Sequence, residues 1–243
     1  MPFEIQLSVI LPCYNEAPSL RALADAYLAA MKPHSFTYEV LFVDNGSTDL
    51  SSEWFSKHFG GVSYPKSFRW LKLEMNQGYG GGILEGLKQA SGEFVGWSHA
   101  DQQCAPQDVV RLFEAVQNDI EPTHCFGKGI RTNDRGANGL ISRCHELSAS
   151  TLLGVTLKEI NAQPKVFHRS LMTHLLEKAP KGFEWDVYAY FVAMKHHYRL
   201  ITVPVEFLPR PHGQSHWAHS VRSRLTTIVQ QIRYLWKLRK VAL

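Results

Sequence analysis

Over its first hundred residues this sequence switches repeatedly between two periods. Leu7-Ser8-Val9-Ile10-Leu11 is a β-rich run that Pro12 stops, and Leu20, Leu23, Ala24, Tyr27, Leu28 and Met31 then recur at helical spacing. A chain that moves from period two to period 3.6 and back again has few architectures open to it. Residues 38–43 repeat the strand signal and break at Asp44-Asn45-Gly46-Ser47-Thr48-Asp49, turn formers and helix caps that lead into a helix carrying Trp54 and Phe55. Residues 68–73 form a third strand, followed by Asn76-Gln77-Gly78-Tyr79-Gly80-Gly81-Gly82 and a helix on which Ile83, Leu84, Leu87 and Ala90 share a face. A fourth strand, 94–98, ends in His99-Ala100-Asp101-Gln102-Gln103.

This alternation predicts an α/β fold: a mostly parallel sheet flanked by helices on both faces. Such sheets bind ligands outside the carboxyl ends of their strands. All four polar or glycine-rich stretches fall at those ends, so they line one rim. With the chain extended, residues 99, 101 and 103 lie on one side and bring an imidazole, a carboxylate and an amide together. Alone, that spacing is more often an ordinary strand-to-loop turn; four loops converging on one rim favour a site. The glycines are a separate matter. A dinucleotide-type G-x-G-x-x-G frame starting at Gly78 needs glycine at position 83, where Ile83 stands, and close helix packing with a tight turn explains them at least as well as phosphate contact.

With 243 residues, 44% of them hydrophobic and 20% charged, the chain is expected to form one catalytic domain over 1–217 with an appendage over 218–243. Net charge is only +4, but no acidic residue follows Glu206, whereas Arg210, Arg222, Arg224, Arg233, Lys237, Arg239 and Lys240 do. That local basicity suits an anionic surface. Val221, Leu225, Ile228, Ile232, Leu235 and Trp236 recur at helical spacing among these charges, predicting a basic amphipathic helix. Such a helix can lie in a membrane interface with Trp236 at headgroup depth, or pack on the domain or on a second copy in a homo-oligomer. The four cysteines form no C-x-x-C pair, which argues against structural zinc and a disulfide framework and favours a reducing cytoplasmic setting. No signal peptide or membrane span is expected, and no zinc module or aromatic-interleaved basic sheet points to nucleic acid.

Taken in order, Val-Ile-Leu-Pro-Cys-Tyr-Asn-Glu at 9–16, Val-Asp-Asn-Gly-Ser-Thr-Asp at 43–49, Asn-Gln-Gly at 76–78 and Ala-Asp-Gln-Gln at 100–103 resemble the inverting family 2 glycosyltransferases, whose nucleotide-binding fold is called GT-A. Within that family the closest likeness, over roughly residues 5–217, is to the polyprenyl-phosphate sugar transferases of the dolichyl-phosphate mannose synthase type. The resemblance implies that Pro12, Tyr14 and Glu16 contact the nucleotide, that Asp44 and Asn45 take its base or ribose, and that Ala100 lies beside the donor. The family has two acidic residues where this chain has Asp44-Asn45.

The family's metal motif, Asp-x-Asp-x-Gln, is here His99, Asp101 and Gln103. The implied cofactor is a divalent metal, and imidazole in place of carboxylate favours Mn²⁺ over Mg²⁺. Arg131 and Arg210 match arginines that face the donor phosphates, and His216 stands where the family has a lysine. Asn161 replaces an acidic residue of the acceptor segment, whereas His168 and Arg169 read as caps of the following helix. Asp186, in the first turn of a helix bearing Val187, Tyr190, Phe191 and Met194, is the candidate base if the acceptor is a hydroxyl. An acceptor phosphate is already anionic and needs positive charge more than a base.

The resemblance therefore implies transfer of a sugar from a nucleoside-diphosphate sugar to a polyprenyl phosphate by an enzyme peripheral to the inner face of the cytoplasmic membrane. Asp101, Asp186, Arg131 and Arg210 are its candidate catalytic residues. Transfer to a sugar hydroxyl of a surface polysaccharide is the alternative. A non-catalytic nucleotide-sugar-binding partner is another, because Asn45, His99 and His216 depart from the family pattern.

Overall fold

The structure, a computed structural model, describes residues 3–132, 136–209 and 221–242. The chain folds in the order β1 (Leu7–Cys13), α1 (Leu20–Met31), β2 (Tyr38–Asp44), α2 (Ser51–His58), β3 (Phe68–Lys72), α3 (Tyr79–Gln89), β4 (Phe94–Trp97) and α4 (Pro106–Gln117). It continues through β5 (Cys125–Arg131), α5 (Gly136–Leu153), β6 (Lys165–His168), α6 (Met172–Leu175), α7 (Trp185–Lys195), β7 (Arg199–Val205) and α8 (Val221–Ala242). The predicted strand–helix alternation is present, with strand ends within a residue or two of those read from the sequence.

Seven strands form one sheet in the order β3-β2-β1-β4-β6-β5-β7. Only β6 runs against its neighbours, pairing antiparallel with β4 and with β5. The chain moves outward from β1 to β3 and then returns to the other side of β1 with β4. The loops after β1 and β4 therefore leave in opposite directions and open a crevice between them. The reversal of β6 adds a feature that the sequence reading lacks. It brings the start of that strand, Lys165, beside Trp97 at the end of β4, so residues entering β6 join the same rim.

Period-two burial divides the core between two faces. Leu7, Val9, Leu11, Val40 and Phe42 pack with α1, α2 and α4, whereas Ile10, Leu41, Val43, Val95 and Trp97 pack with α3, α5, α7 and α8. Cover on both sides is why these strands read as continuous apolar runs. Helix α3 lies so close to the sheet that a Cβ on Gly86 would run into Ile10 and Val43. Within the glycine-rich stretch itself, a Cβ on Gly80 would run into the Pro180 carbonyl and Trp185, and one on Gly82 would crowd Asn45 and Pro12, so close packing accounts for those glycines.

In α8 the predicted apolar stripe divides. Leu235 and Leu238 are buried in the core beneath α5, whereas Ile232 and Trp236 are 39% and 50% exposed. The expected boundary at residue 217 lies outside the described residues.

Candidate active site

At the crevice the loop after β1 is stapled to the loop after β2. Asn15, held at φ 56°, accepts from Thr48 N at 2.8 Å and from Asp49 N at 3.3 Å, and its own N–H donates to Ser47 Oγ at 3.0 Å. Glu16 N donates to Ser51 Oγ at 3.3 Å and Ala17 N to Asp49 at 3.1 Å. These bonds hold Pro12, Tyr14 and Glu16, all partly exposed, along the edge of the crevice. Asp44 is fully buried and accepts from Ser47 N at 2.9 Å and from the Ser52 hydroxyl.

Asn45 is turned to a structural task. Its Nδ2 donates to Gly78 O at 2.9 Å and Asn76 Oδ1 at 3.4 Å, and its Oδ1 accepts from Gln77 N at 3.0 Å. The amide thus ties the β2 loop to the β3 loop. The first N–H groups of α3 are likewise engaged: Gly80 N donates to Gly182 O at 3.2 Å and Gly81 N to Lys181 O at 3.0 Å. The glycine-rich turn seats the 180–185 segment, with Gly78 at φ +82° directly against the Lys181 carbonyl.

The stretch after β4 places His99 and Asp101 together, His99 Nδ1 lying 3.8 Å from Asp101 Oδ2. Asp101 Oδ1 accepts from Gln103 N at 3.1 Å, a turn that keeps the loop compact. Gln103 Nε2 donates to Leu208 O at 2.9 Å, while Leu208 N donates to Gln103 O at 2.9 Å, docking the chain after β7 onto the site. Ala100 is buried behind the loop. Among the described residues no group of three His, Cys, Asp or Glu side chains is placed to hold a metal. The side chains this stretch could offer to a metal are one imidazole, one carboxylate and the Gln103 amide oxygen. A mixed nitrogen and oxygen set of this kind fits Mn²⁺ better than Mg²⁺, with ligand phosphates needed to complete it.

Behind His99 lies a buried polar network that motif reading missed in part. Asp186, in the first turn of α7 and 3% exposed, accepts at Oδ1 from Lys165 Nζ at 2.9 Å, Gln163 Nε2 at 3.0 Å and Trp97 Nε1 at 3.3 Å. At Oδ2 it accepts from Tyr79 OH at 3.3 Å. Tyr79 OH also meets Gln163 Nε2 at 3.1 Å and His99 Nε2 at 3.2 Å. Burial pushes the Asp186 carboxyl up, but the neighbouring Lys165 ammonium, with hydrogen bonds from Lys165 and Gln163, outweighs it and holds the group below its usual range. Asp186 is an ionised, caged carboxylate.

Lys165 falls in the acceptor segment and Tyr79 in a stretch that lines the rim, but the sequence alone singles out neither as a site residue. The signal for Lys165 was available: it shares strand parity with the buried Phe167, and a lysine at a core position requires a charged partner.

Arg131, at the end of β5, is 7% exposed, donates from Nε to Glu159 at 2.6 Å and lies over the Phe207 ring. Lys128, three residues earlier on β5, is buried against the carbonyls of Gly129 and Lys158, and burial brings its pKa down to about 7. His168 accepts from Ser170 N at 3.2 Å and caps the following turn as expected, whereas Arg169 instead donates to the carbonyls of Ser91 and Ala90 at the end of α3, so its role is structural but is not that of a cap on the helix after it. Arg210 and His216 lie outside the described residues.

The family described as Glycosyl transferase family 2 matches residues 8–142. The undecaprenyl-phosphate 4-deoxy-4-formamido-L-arabinose transferase of Edwardsiella ictaluri is 27% identical over 217 residues, covering 86% of this chain and 62% of that protein. The same-named protein of Pseudomonas fluorescens is 25% identical over 218 residues, covering 89% and 62%. The chain thus spans 62% of the length of these curated relatives. Among solved structures, glucosyl-3-phosphoglycerate synthase from Mycobacterium tuberculosis, in complex with Mn²⁺, uridine diphosphate and phosphoglyceric acid, is similar with a TM-score of 0.69 at 18% identity, covering 97% of this chain and 78% of that one. The architecture is GT-A-like.

Proposed function

The chain belongs to glycosyl transferase family 2, and on that premise we propose that it moves a sugar from a nucleoside-diphosphate sugar to a polyprenyl phosphate at the inner face of the cytoplasmic membrane. The observation that carries the acceptor class is the state of Asp186. A carboxylate already paired with Lys165 and accepting from three other donors is a poor base, because taking a proton would cost it those bonds. A hydroxyl acceptor needs a base and a phosphate does not. The names of the curated relatives point to the same acceptor class.

In this reading Pro12, Tyr14 and Glu16 border the nucleoside, with Asp44 shaping the loop beside it, and Arg131 and Arg210 face the phosphates. Asn45 contributes by holding two loops in register. A divalent ion held by His99, Asp101 and Gln103 would supply Lewis-acid stabilisation of the departing diphosphate. His216 would add a further contact to the phosphates. Asp186 fixes the orientation of Lys165, Gln163 and Tyr79 beneath the reacting centre.

No described helix is long and apolar enough to cross a membrane. Exposed Val229, Ile232 and Trp236, set among Arg233, Lys237, Arg239 and Lys240 on α8, support a peripheral contact with an anionic surface. The test is transfer from a panel of nucleotide sugars to polyprenyl phosphate, the matching polyprenol and soluble oligosaccharides. Product on the phosphorylated lipid alone is expected; equal or better transfer to a hydroxyl acceptor would overturn the acceptor assignment.

A further inference from the structure

The hydrogens of the buried network can be assigned by counting donors and acceptors. Ionised Asp186 can only accept. Gln163 must therefore turn its NH₂ toward it, and that one nitrogen reaches both Asp186 Oδ1 at 3.0 Å and Tyr79 OH at 3.1 Å. The reverse amide orientation would set carbonyl oxygen against carboxylate. Tyr79 has one proton and two lone pairs. Its proton goes to Asp186 Oδ2 at 3.3 Å, since a charge-assisted bond outcompetes a neutral one, and Gln163 occupies one lone pair. His99 Nε2 faces the phenol oxygen at 3.2 Å, on which the Trp97 indole also bears, and with the Tyr79 proton committed to Asp186 that imidazole nitrogen is assigned the hydrogen. In a neutral imidazole the lone pair then falls on Nδ1, the atom 3.8 Å from Asp101 Oδ2.

We propose that Tyr79 is a positioning residue for the metal site: by accepting from His99 Nε2 while donating to Asp186, it fixes the imidazole in the Nε2-protonated form and sets the Nδ1 lone pair beside the Asp101 carboxylate, making the site selective for Mn²⁺ over Mg²⁺. The inference rests on the donor-binding role proposed above and extends it to a residue outside the metal motif. Its logic is that of metal-ligating histidines elsewhere, whose second ring nitrogen is held by an outer partner that sets tautomer and orientation. Here that partner is a phenol, and its own proton is committed by a buried ion pair.

Two measurements test it without requiring turnover. Long-range ¹H–¹⁵N correlation of the metal-free protein, with His99 assigned by difference from His99→Gln, should give a protonated Nε2 and a bare Nδ1; Tyr79→Phe should lose that bias. Mn²⁺ binding with uridine diphosphate as the probe, followed through the free-ion EPR signal with Mg²⁺ as competitor, should weaken by about 10-fold in Tyr79→Phe. In a His99→Asp background, which replaces the imidazole by an oxygen ligand, Tyr79→Phe should leave the Mn²⁺ to Mg²⁺ preference unchanged. That background separates tautomer control from general loosening of the fold.

A protonated Nδ1 in the wild-type protein, or an unchanged preference in Tyr79→Phe, would overturn the inference. If the tautomer and the Mn²⁺ preference hold while no acceptor is glycosylated, the acceptor proposal fails and this inference stands. Sugar transfer with the opposite tautomer would have the reverse meaning.

Discussion

The two sides of the crevice are built from different materials. On the β1 and β2 side, Asn15, Asn45, Ser47 and Ser51 hold loops together through side chains bonded mainly to backbone groups, and the carboxylates of Asp44 and Asp49 accept from backbone N–H and hydroxyl groups there. On the β4, β6 and α7 side, Lys165 and Asp186 form a buried ion pair, with Lys128 buried one strand away at the position paired with Lys165. The β1 and β2 side can give way locally, because each bond is individually modest. The charged side cannot, because removing either partner leaves the other charge stranded in the core. In the proposed function the first side borders the nucleoside, which needs a shaped edge, and the second faces the diphosphate, which needs fixed charges.

The largest effect that would break this contrast is expected on the charged side. Lys165→Met should cost about 3–5 kcal/mol in urea unfolding, whereas Lys165→Met combined with Asp186→Leu should recover most of it, since an apolar pair needs no compensation. Equal losses in the single and double variants would contradict a buried-pair account.

Next in size is Asn45→Asp. The aspartate keeps the acceptor for Gln77 N but loses the donor to Gly78 O and faces that carbonyl with a charge, so a loss of about 1–3 kcal/mol is expected by the same measurement. A neutral outcome would mean that the loops are held elsewhere.

Lys128 gives a pH signature. The unfolded ammonium keeps its proton to about pH 10.4, and the folded one releases it near 7. Between those values the unfolded chain binds more protons, so stability should rise with pH across that window and level off below it, with a slope of at most about 1.4 kcal/mol per pH unit. Lys128→Met should flatten the rise; a wild-type profile in the variant would remove Lys128 as its source.

The smallest expected effect is at the surface. Trp236→Ala should leave unfolding within about 0.5 kcal/mol of wild type, because the ring is half exposed, while reducing co-sedimentation with anionic liposomes.

How far the sequence reveals this arrangement follows from the range of each signal. Strands β1 to β4 are legible because period two, turn formers and N-caps are local, and the rim follows from the strand-end rule. The reversal of β6 is not, since a four-residue strand has no measurable period and its pairing with Trp97 spans the intervening helices. His99 and Asp101 are adjacent in the motif and adjacent in space. Asp186 was found as a helix-start acid, but its role changes once Lys165, 21 residues away in sequence, is seen 2.9 Å from it. Asn45 was read for its capacity to meet a base edge. Only the folded position of the 76–78 loop shows what its amide actually holds.

The central claim is that Asp186 is a caged anion and that the acceptor arrives already ionised. The direct measurement is a pH titration of the Asp186 carboxyl by ¹³C NMR, assigned by difference from Asp186→Asn. The account predicts that the carboxyl stays ionised below about pH 3.9, the ordinary aspartate value. A midpoint between about pH 5 and 8, where a general base for a hydroxyl would titrate, would contradict it.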